Sequence, residues 1–384
     1  MPYSRQDIGE ADIQAVVDVL HSEWITQGPS IKRFETDVAN YCGVRFAVAV
    51  SSGTAALHLA CLVCGLKPGD MHWTSPNTFV ASANCALYCG ASVDFVDIDP
   101  KTYQLSTQLL EQKLELAAKT GRLPRVLVPV HFAGQPCEMG EIARLSKHYG
   151  FFVIEDAAHA IGSRYRNSKI GACTYSDLTV FSFHPVKIVT TGEGGMVLTN
   201  RQDFYEMLLR LRAHGITRDS DQMEGPSHGP WYYQQIELGY NYRMTDFQAA
   251  LGTSQMQKLD QFVSRRHCIA ERYNLALQKL PLILPWQHPD SYSSFHLYVI
   301  RLKPNEISKT HRQIFEELRS QGIGVNLHYI PVHMHPYYQR LGFKKGDFPQ
   351  AEQYYQEAIS LPMYSALSDE DQDRVISVLE KTVV

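Results

Sequence analysis

Lys187 stands just past an apolar β-type run, Leu178-Thr179-Val180-Phe181, and just before the glycine cluster Gly192-Glu193-Gly194-Gly195. A lysine at such a junction is either a solvated loop residue or one put to chemical use. Held in a dry pocket, its ammonium gives up a proton more readily, and the free amine condenses with a carbonyl as a Schiff base. A second such residue, Asp156, directly follows the apolar strand residues Val153-Ile154 and Glu155. A carboxylate there needs an ion pair, a capping role, or a protonated pyridine nitrogen that it would keep charged as an electron sink. Pyridoxal 5'-phosphate asks a protein for a lysine, a carboxylate and a phosphate cradle. Ser51-Ser52-Gly53-Thr54, between a strand at 46–50 and a helix from Ala55, is the candidate cradle. Free amides at a helix start, the helix dipole and hydroxyl groups suit a phosphate, and the same residues serve equally as a plain N-cap. His159 reads as a core histidine or as a neighbour of the cofactor.

Elements must bring these residues together. Apolar or β-rich runs at 71–74, 92–98, 125–130, 151–155, 178–183 and 195–199 alternate with helical patterns at 79–88, 105–118, 138–149 and 202–214. That alternation predicts α/β architecture with a mostly parallel central sheet, whose ligands gather at strand ends. Asp156 and Lys187 then sit on successive strand ends, and Phe79, in Pro76-Asn77-Thr78-Phe79, offers an aromatic face at another. Residues 8–21 read as an amphipathic helix, followed by the glycine–proline break Glu23-Trp24-Ile25-Thr26-Gln27-Gly28-Pro29. Residues 215–243 form a long aromatic-rich connection, and an unbroken helical pattern is expected over roughly 244–280. Beyond Pro281 and Pro285 the pattern changes to a strand at 297–302, a helix at 309–321, a strand at 323–329 and helices near 350–359 and 368–382. We expect a large domain over 1–250, and a connecting helix with a smaller C-terminal α+β domain over 251–384.

Composition excludes several classes of function. The chain has 384 residues, 44% of them apolar and 20% charged, and a formal net charge of −4. It carries no basic footprint for nucleic acid and no apolar run of spanning length, so a cytoplasmic enzyme without nucleic-acid or membrane partners is expected. Cys61-Leu62-Val63-Cys64 has the spacing of a redox or zinc pair, but lies in an apolar helical run with no second pair, and reads as core packing. His328, His333 and His335 crowd one segment without a Cys or carboxylate beside them, so no metal site is expected. Gly192-Glu193-Gly194-Gly195 precedes a strand rather than a helix, the wrong context for a nucleotide loop.

Taken in order, Trp24-Ile25-Thr26-Gln27-Gly28-Pro29, Ser52-Gly53-Thr54-Ala55-Ala56-Leu57, Asn77-Thr78-Phe79-Val80-Ala81, Glu155-Asp156-Ala157-Ala158-His159, Ser182-Phe183-His184-Pro185-Val186-Lys187, Gly192-Glu193-Gly194-Gly195 and Gly239-Tyr240-Asn241-Tyr242-Arg243-Met244 form an ordered set. In this set the chain resembles the DegT/DnrJ/EryC1/StrS sugar aminotransferases, of the aspartate-aminotransferase fold (PLP fold type I). Tyr165-Arg166-Asn167-Ser168-Lys169-Ile170-Gly171, the 328–338 segment and His159 further resemble the pseudaminic-acid branch of that family.

The resemblance implies pyridoxal 5'-phosphate as cofactor, with pyridoxamine phosphate as its intermediate form. It implies Lys187 as the Schiff-base lysine and proton shuttle, Asp156 on the pyridine nitrogen, Phe79 stacked on the ring and His159 beside it. It further implies Gly53, Thr54 and Ser182 at the phosphate, joined by Asn241 from the partner of a homodimer with shared sites. Tyr3, Glu23, Trp24, Ile25, Thr26, His328, Tyr329, Ile330 and Pro331 would meet a UDP-linked sugar. The implied reaction moves the amino group of L-glutamate to the C4 ketone of UDP-2-acetamido-2,6-dideoxy-β-L-arabino-hexos-4-ulose. Rival readings are an aminotransferase for another 4-keto or 3-keto sugar nucleotide, and a non-catalytic regulator that binds the same cofactor.

Overall fold

Seven runs rich in Val, Ala, Leu and Phe become the strands of one sheet in the computed structural model, which describes residues 1–383. They are β1 (Phe46–Val50), β2 (Met71–Thr74), β3 (Ser92–Phe95), β4 (Val126–Val128), β5 (Phe152–Asp156), β6 (Leu178–Ser182) and β7 (Gly195–Thr199). Their order across the sheet is β1-β7-β6-β5-β4-β2-β3. Pairing is parallel from β6 to β3, and β7 runs antiparallel to both of its neighbours. Because helices cover both faces, the strands are apolar on both sides rather than alternating. One core, with Phe34, Val38, Leu114 and Ile142, lies on one face, and another, with Leu57, Leu59, Ala60 and Leu208, lies on the opposite face.

The helices that matter for the site are α1 (Glu10–Leu20), α2 (Pro29–Cys42), α3 (Gly53–Val63), α4 (Ala81–Tyr88), α5 (Thr107–Thr120), α6 (Met139–Tyr149) and α7 (Gln202–Leu211). Helix α3 opens straight off β1, with the Ser52 hydroxyl accepting the Ala55 amide at 3.1 Å. Buried charges fasten helices to this framework. Glu35 on α2 accepts the Ala49 amide of β1 at 3.0 Å and pairs with Arg212, just beyond α7, at 2.5 Å.

The helix expected over 244–280 is two helices, α8 (Asp246–Met256) and α9 (Leu259–Leu277). The Gln257 and Lys258 amides bond back three residues instead of four, to Ser254 and Gln255, which tightens the last turn and redirects the chain. Lys258, at the break, donates to Asp12 of α1, a carboxylate with no solvent exposure, at 2.5 Å. Helix α9 then runs from the core beneath the large sheet, through Phe262 and Val263, into a separate core through Ile269, Tyr273 and Leu277.

That second core packs on a three-stranded antiparallel sheet, β8 (Leu282–Ile283), β9 (Tyr298–Leu302) and β10 (Ala358–Leu361), in that order. It is joined by α10 (His311–Ser320), α11 (Pro349–Glu357) and α12 (Asp369–Val383). Two expectations need correction here. The strand expected at 323–329 does not form, because only Asn326 pairs, through reciprocal hydrogen bonds with Ser360. The chain then leaves the small sheet for the 75–79 loop, where Val332 N donates to Pro76 O at 2.8 Å. The helix near 350–359 ends at Glu357, and β10 takes the sheet position. Val384, the last residue of the expected small domain, lies outside the described residues.

Candidate active site

The carboxyl ends of β1, β5 and β6 meet the 75–79 loop and the 326–329 segment around a cavity of about 720 Å³. Lys187 lines it, two residues past Pro185 on the loop after β6. Ser4 anchors this loop from the N-terminus, its hydroxyl donating to Val186 O at 2.9 Å. Burial lowers the Lys187 ammonium to about 8, against a smaller upward pull from Asp156. An amine so shifted has a sizeable neutral fraction near neutral pH, as a nucleophilic or proton-shuttling lysine requires.

Asp156 ends β5 at 5% exposure and faces the same cavity. Its Oδ1 accepts the Ala158 amide at 3.1 Å, and its Oδ2 accepts the Ser82 hydroxyl at 2.6 Å. Because Ser82 spends its proton on Asp156, the 2.7 Å contact between Thr78 Oγ1 and Ser82 Oγ must be donated by Thr78. A relay Thr78 to Ser82 to Asp156 thus fixes the carboxylate. The preceding Glu155 is satisfied elsewhere, by His131 at 2.7 Å, Ser176 at 2.5 Å and Thr179 at 3.1 Å.

A wall of neutral imidazoles faces these two residues. His159 Nδ1 accepts the Ala133 amide at 3.3 Å, so its proton sits on Nε2 and is shared with the Tyr329 hydroxyl at 3.2 Å. Burial, then the nearby Lys187 and His328, hold its pKa well below the ordinary histidine value. His328 accepts from Asn326 at 3.3 Å through Nε2 and donates from Nδ1 to Ser360 at 2.8 Å, and burial brings it down to about 3. Tyr3 closes this side, its ring 5.0 Å from His328.

The residues present fit pyridoxal phosphate. The start of α3 presents Gly53 and Thr54 to the cavity, with Ser182 alongside. A Cβ on Gly53 would lie 2.9 Å from Ser182 Cβ, so only glycine lets these two segments close into a cradle. The Asp156 carboxylate sits within the same walls as the lysine amine, as the cofactor's ring nitrogen and carbonyl require. Phe79 lines the cavity yet keeps 58% exposure at its mouth, with its ring 6.2 Å from Tyr329.

Of the residues named from sequence, the cavity gathers Tyr3, Gly53, Thr54, Phe79, Asp156, His159, Ser182, Lys187, His328 and Tyr329. Ile330 and Pro331 follow on the same segment without lining it. Glu23, Trp24, Ile25 and Thr26 stand apart within one chain, exposed and pinned to α8, where the Asp246 amide donates to Ile25 O at 3.0 Å. Asn241 is also exposed, although the next residue adjoins the cradle, the Ser51 amide donating to Tyr242 O at 2.8 Å. The histidines crowded at 328, 333 and 335 take different partners: His333 pairs with Glu352 at 2.9 Å, while His328 bonds to Ser360 at 2.8 Å.

Sequence reasoning missed Ser82 and His296. Ser82 is the one hydroxyl in the run Ala81-Ser82-Ala83 at the start of α4, and nothing in the surrounding sequence marks it. His296 interrupts the apolar run Phe295-Leu297-Tyr298, the same signal that marks Asp156. It lines the cavity at 2% exposure, its ring 4.2 Å from His159, and its backbone carbonyl is held by the buried Arg266 at 3.1 Å.

A sheet of this order, with a lysine and a carboxylate on successive strand ends over a helix-capped cradle, defines a pyridoxal-phosphate enzyme of the aspartate-aminotransferase fold. The model of the DegT/DnrJ/EryC1/StrS aminotransferase family matches residues 6–380, and the chain belongs to that family. It is 41% identical over 386 residues to the spore coat polysaccharide biosynthesis protein SpsC of Bacillus subtilis, covering all of this chain and 97% of that one. The putative sugar aminotransferase Spr1654 of Streptococcus pneumoniae, solved in pyridoxamine- and pyridoxal-phosphate forms, superposes with a TM-score of 0.90 for the former. That match has 31% identity and covers 100% of this chain and 98% of the other. PseC of Helicobacter pylori, an aminotransferase of pseudaminic acid biosynthesis, superposes at 0.89 with 29% identity, over 99% and 98% of the two chains. The protein is a sugar aminotransferase that uses pyridoxal phosphate.

Proposed function

We propose that the protein transfers the amino group of L-glutamate to the C4 ketone of a UDP-linked 4-keto-6-deoxy-N-acetylhexosamine, the step that PseC serves in pseudaminic acid biosynthesis. The observation that carries this reading is the cavity wall of Tyr3, His328 and Tyr329 opposite Lys187, polar and neutral, which suits the hydroxyls and amide of a sugar rather than a charged side chain. The likeness to PseC over nearly the whole chain supports it.

In this reading Gly53, Thr54 and Ser182 hold the cofactor phosphate at the start of α3, and Phe79 covers the ring. Asp156 would hold the pyridine nitrogen, with Thr78 and Ser82 keeping that carboxylate oriented. When bound, the cofactor supplies the carbonyl and the electron sink of transamination. Lys187 is the covalent anchor and then the base and acid that moves a proton to and from the substrate carbon, for which its lowered pKa suits it. His159, neutral and carrying its proton on Nε2, excludes water from the ring and adds no competing charge.

Asn241, Trp24, Ile25, Thr26 and Glu23 act in the site of a second copy, so the working unit is a homodimer acting in the cytoplasm. Their exposure in a single chain supports this, as do two exposed apolar residues of the connection before Asn241, Trp231 at 75% and Leu238 at 78%.

The similarity to SpsC favours a second reading, in which the amine is delivered to another keto sugar nucleotide destined for a polysaccharide. The two separate on incubation with the UDP-4-keto-6-deoxy-N-acetyl sugar and heavy-nitrogen L-glutamate. The first reading expects label on C4 of the product by NMR. Amination only of other keto sugar nucleotides would replace it with the second.

A further inference from the structure

Cys61, His72 and Cys85 come from three different elements, α3, β2 and α4, and have no part in the site described above. Their ligand atoms, two thiol sulfurs and an imidazole nitrogen, lie within 4.8 Å of one another, and all three residues are fully buried. The state of His72 is fixed by its neighbours. Its Nε2 lies 2.9 Å from the Ser82 carbonyl oxygen, so that nitrogen carries the proton. Its Nδ1 is left as a bare lone pair, buried and without any partner. An orphaned acceptor in a dry core is costly, and this one belongs to the imidazole that lies beside the two thiols.

A fourth sulfur is at hand. Cys89 caps α4 four residues after Cys85, on the same helix face, and its side chain interacts with those of Cys61 and His58. It is only half-buried, so it stands between the triad and solvent. Cys64, the partner that the sequence spacing suggested for Cys61, is not one of the group.

We propose that Cys61, His72 and Cys85, with Cys89 in the fourth position, form a binding site for one thiophilic divalent cation, of which zinc is the type. Neutral imidazole with three cysteines is an established structural-zinc donor set. Zinc–sulfur bonds of about 2.3 Å and zinc–nitrogen bonds of about 2.1 Å place tetrahedral ligands about 3.6 Å apart, so a triad within 4.8 Å closes with each atom moving by about 0.7 Å. Three thiolates and a neutral imidazole around the dication leave one net negative charge, at a site whose fourth ligand, Cys89, is only half-buried. The thiol protons of Cys61, Cys85 and Cys89 leave to solvent as the metal binds. His72 Nε2 donates to the Ser82 carbonyl, and the Ser82 hydroxyl donates to Asp156. The cation would therefore stiffen the support of the carboxylate without touching the cofactor.

The test uses the full-length holoenzyme without a histidine tag, stripped with a chelator and then dialysed against zinc. The proposal expects one zinc per chain, a higher melting temperature, and an X-ray absorption shell dominated by sulfur at about 2.3 Å. Cys61→Ala and Cys85→Ala should each lower zinc affinity by about tenfold or more, while Cys268→Ala, at an exposed thiol, changes nothing. The absorption measurement needs only the wild-type chain, so it decides even where a variant fails to fold. No zinc retained by folded protein, a shell of oxygen and nitrogen alone, zinc kept in full by Cys85→Ala, or a mass showing that these thiols have joined as a disulfide would each overturn it.

Discussion

Lys187 carries a cost that its chemistry explains. Its pKa falls from the ordinary 10.5 to about 8 because burial disfavours the ammonium. Below pH 8 folded and unfolded chains both hold the proton, and the cofactor-free fold bears the full penalty of burying it. Between 8 and 10.5 the unfolded chain binds more protons than the folded one, so stability rises with pH. Cofactor-free Lys187→Met should therefore be more stable than cofactor-free wild type at pH 7, by about 1–3 kcal/mol, with the gap closing by pH 10.5. Calorimetric melts across that range check it, and a gap that is absent or widens with pH would contradict the burial argument. Lys187→Ala should also abolish turnover, and full activity in that variant would end the proposed mechanism. Ser82→Ala removes the 2.6 Å hydrogen bond to Asp156. Bonds to charged groups contribute about 1.5–3 kcal/mol, so cofactor affinity should drop by about tenfold to a hundredfold, measured by equilibrium dialysis. Asp156 and Lys187 were legible in the sequence because a charged residue after an apolar strand needs a reason. Ser82 was not, since a serine in a helix raises no such question until its partner is seen.

Helices and strands differed in how far the sequence exposed them. The strand runs and their alternation with helices follow from apolar periodicity, and the central sheet obeys them within a few residues. The break between α8 and α9 was hidden because the apolar spacing Met256, Leu259, Phe262, Val263 continues across it. What ends α8 is a tightened last turn with Lys258 committed to Asp12, a partner about 250 residues away. The 323–329 segment misleads for a related reason: its composition suits a strand, but its hydrogen bonds scatter, from Gly324 N to Met1 O, from Asn326 N to Ser360 O and from Tyr329 N to Asn77 Oδ1, and Tyr329 is carried into the cavity. The 213–241 connection is held by two glycines at close quarters, since a Cβ on Gly239 would lie 2.0 Å from Gly215 N. Gly239→Ala should destabilise the protein by about 1–3 kcal/mol and displace Asn241. Thermal melting and cofactor retention measured together would show it, and an unaltered melt would mean that the crossing is loose.

At the scale of the molecule, one chain supplies a cavity and a set of exposed residues that its own cavity does not use. Asn241 and the 23–26 loop are such residues, and Trp231 and Leu238 add apolar surface that monomers seldom leave uncovered. If the sites are shared, inactive Lys187→Ala and Asn241→Ala chains should regain part of the activity when mixed, because one site in the mixed dimer has all its parts. No recovery after confirmed subunit exchange would confine each site to one chain.

The most direct test of the account is the visible absorption of the purified holoenzyme, followed as L-glutamate and then the UDP-4-keto-6-deoxy-N-acetyl sugar are added. The account predicts that glutamate bleaches the cofactor's visible band and that the sugar restores it as a 4-amino sugar nucleotide accumulates. A band that glutamate removes and this sugar fails to restore would contradict the proposed substrate, and a band that responds to neither would contradict the assignment of Lys187 and its cavity as the site of amino transfer.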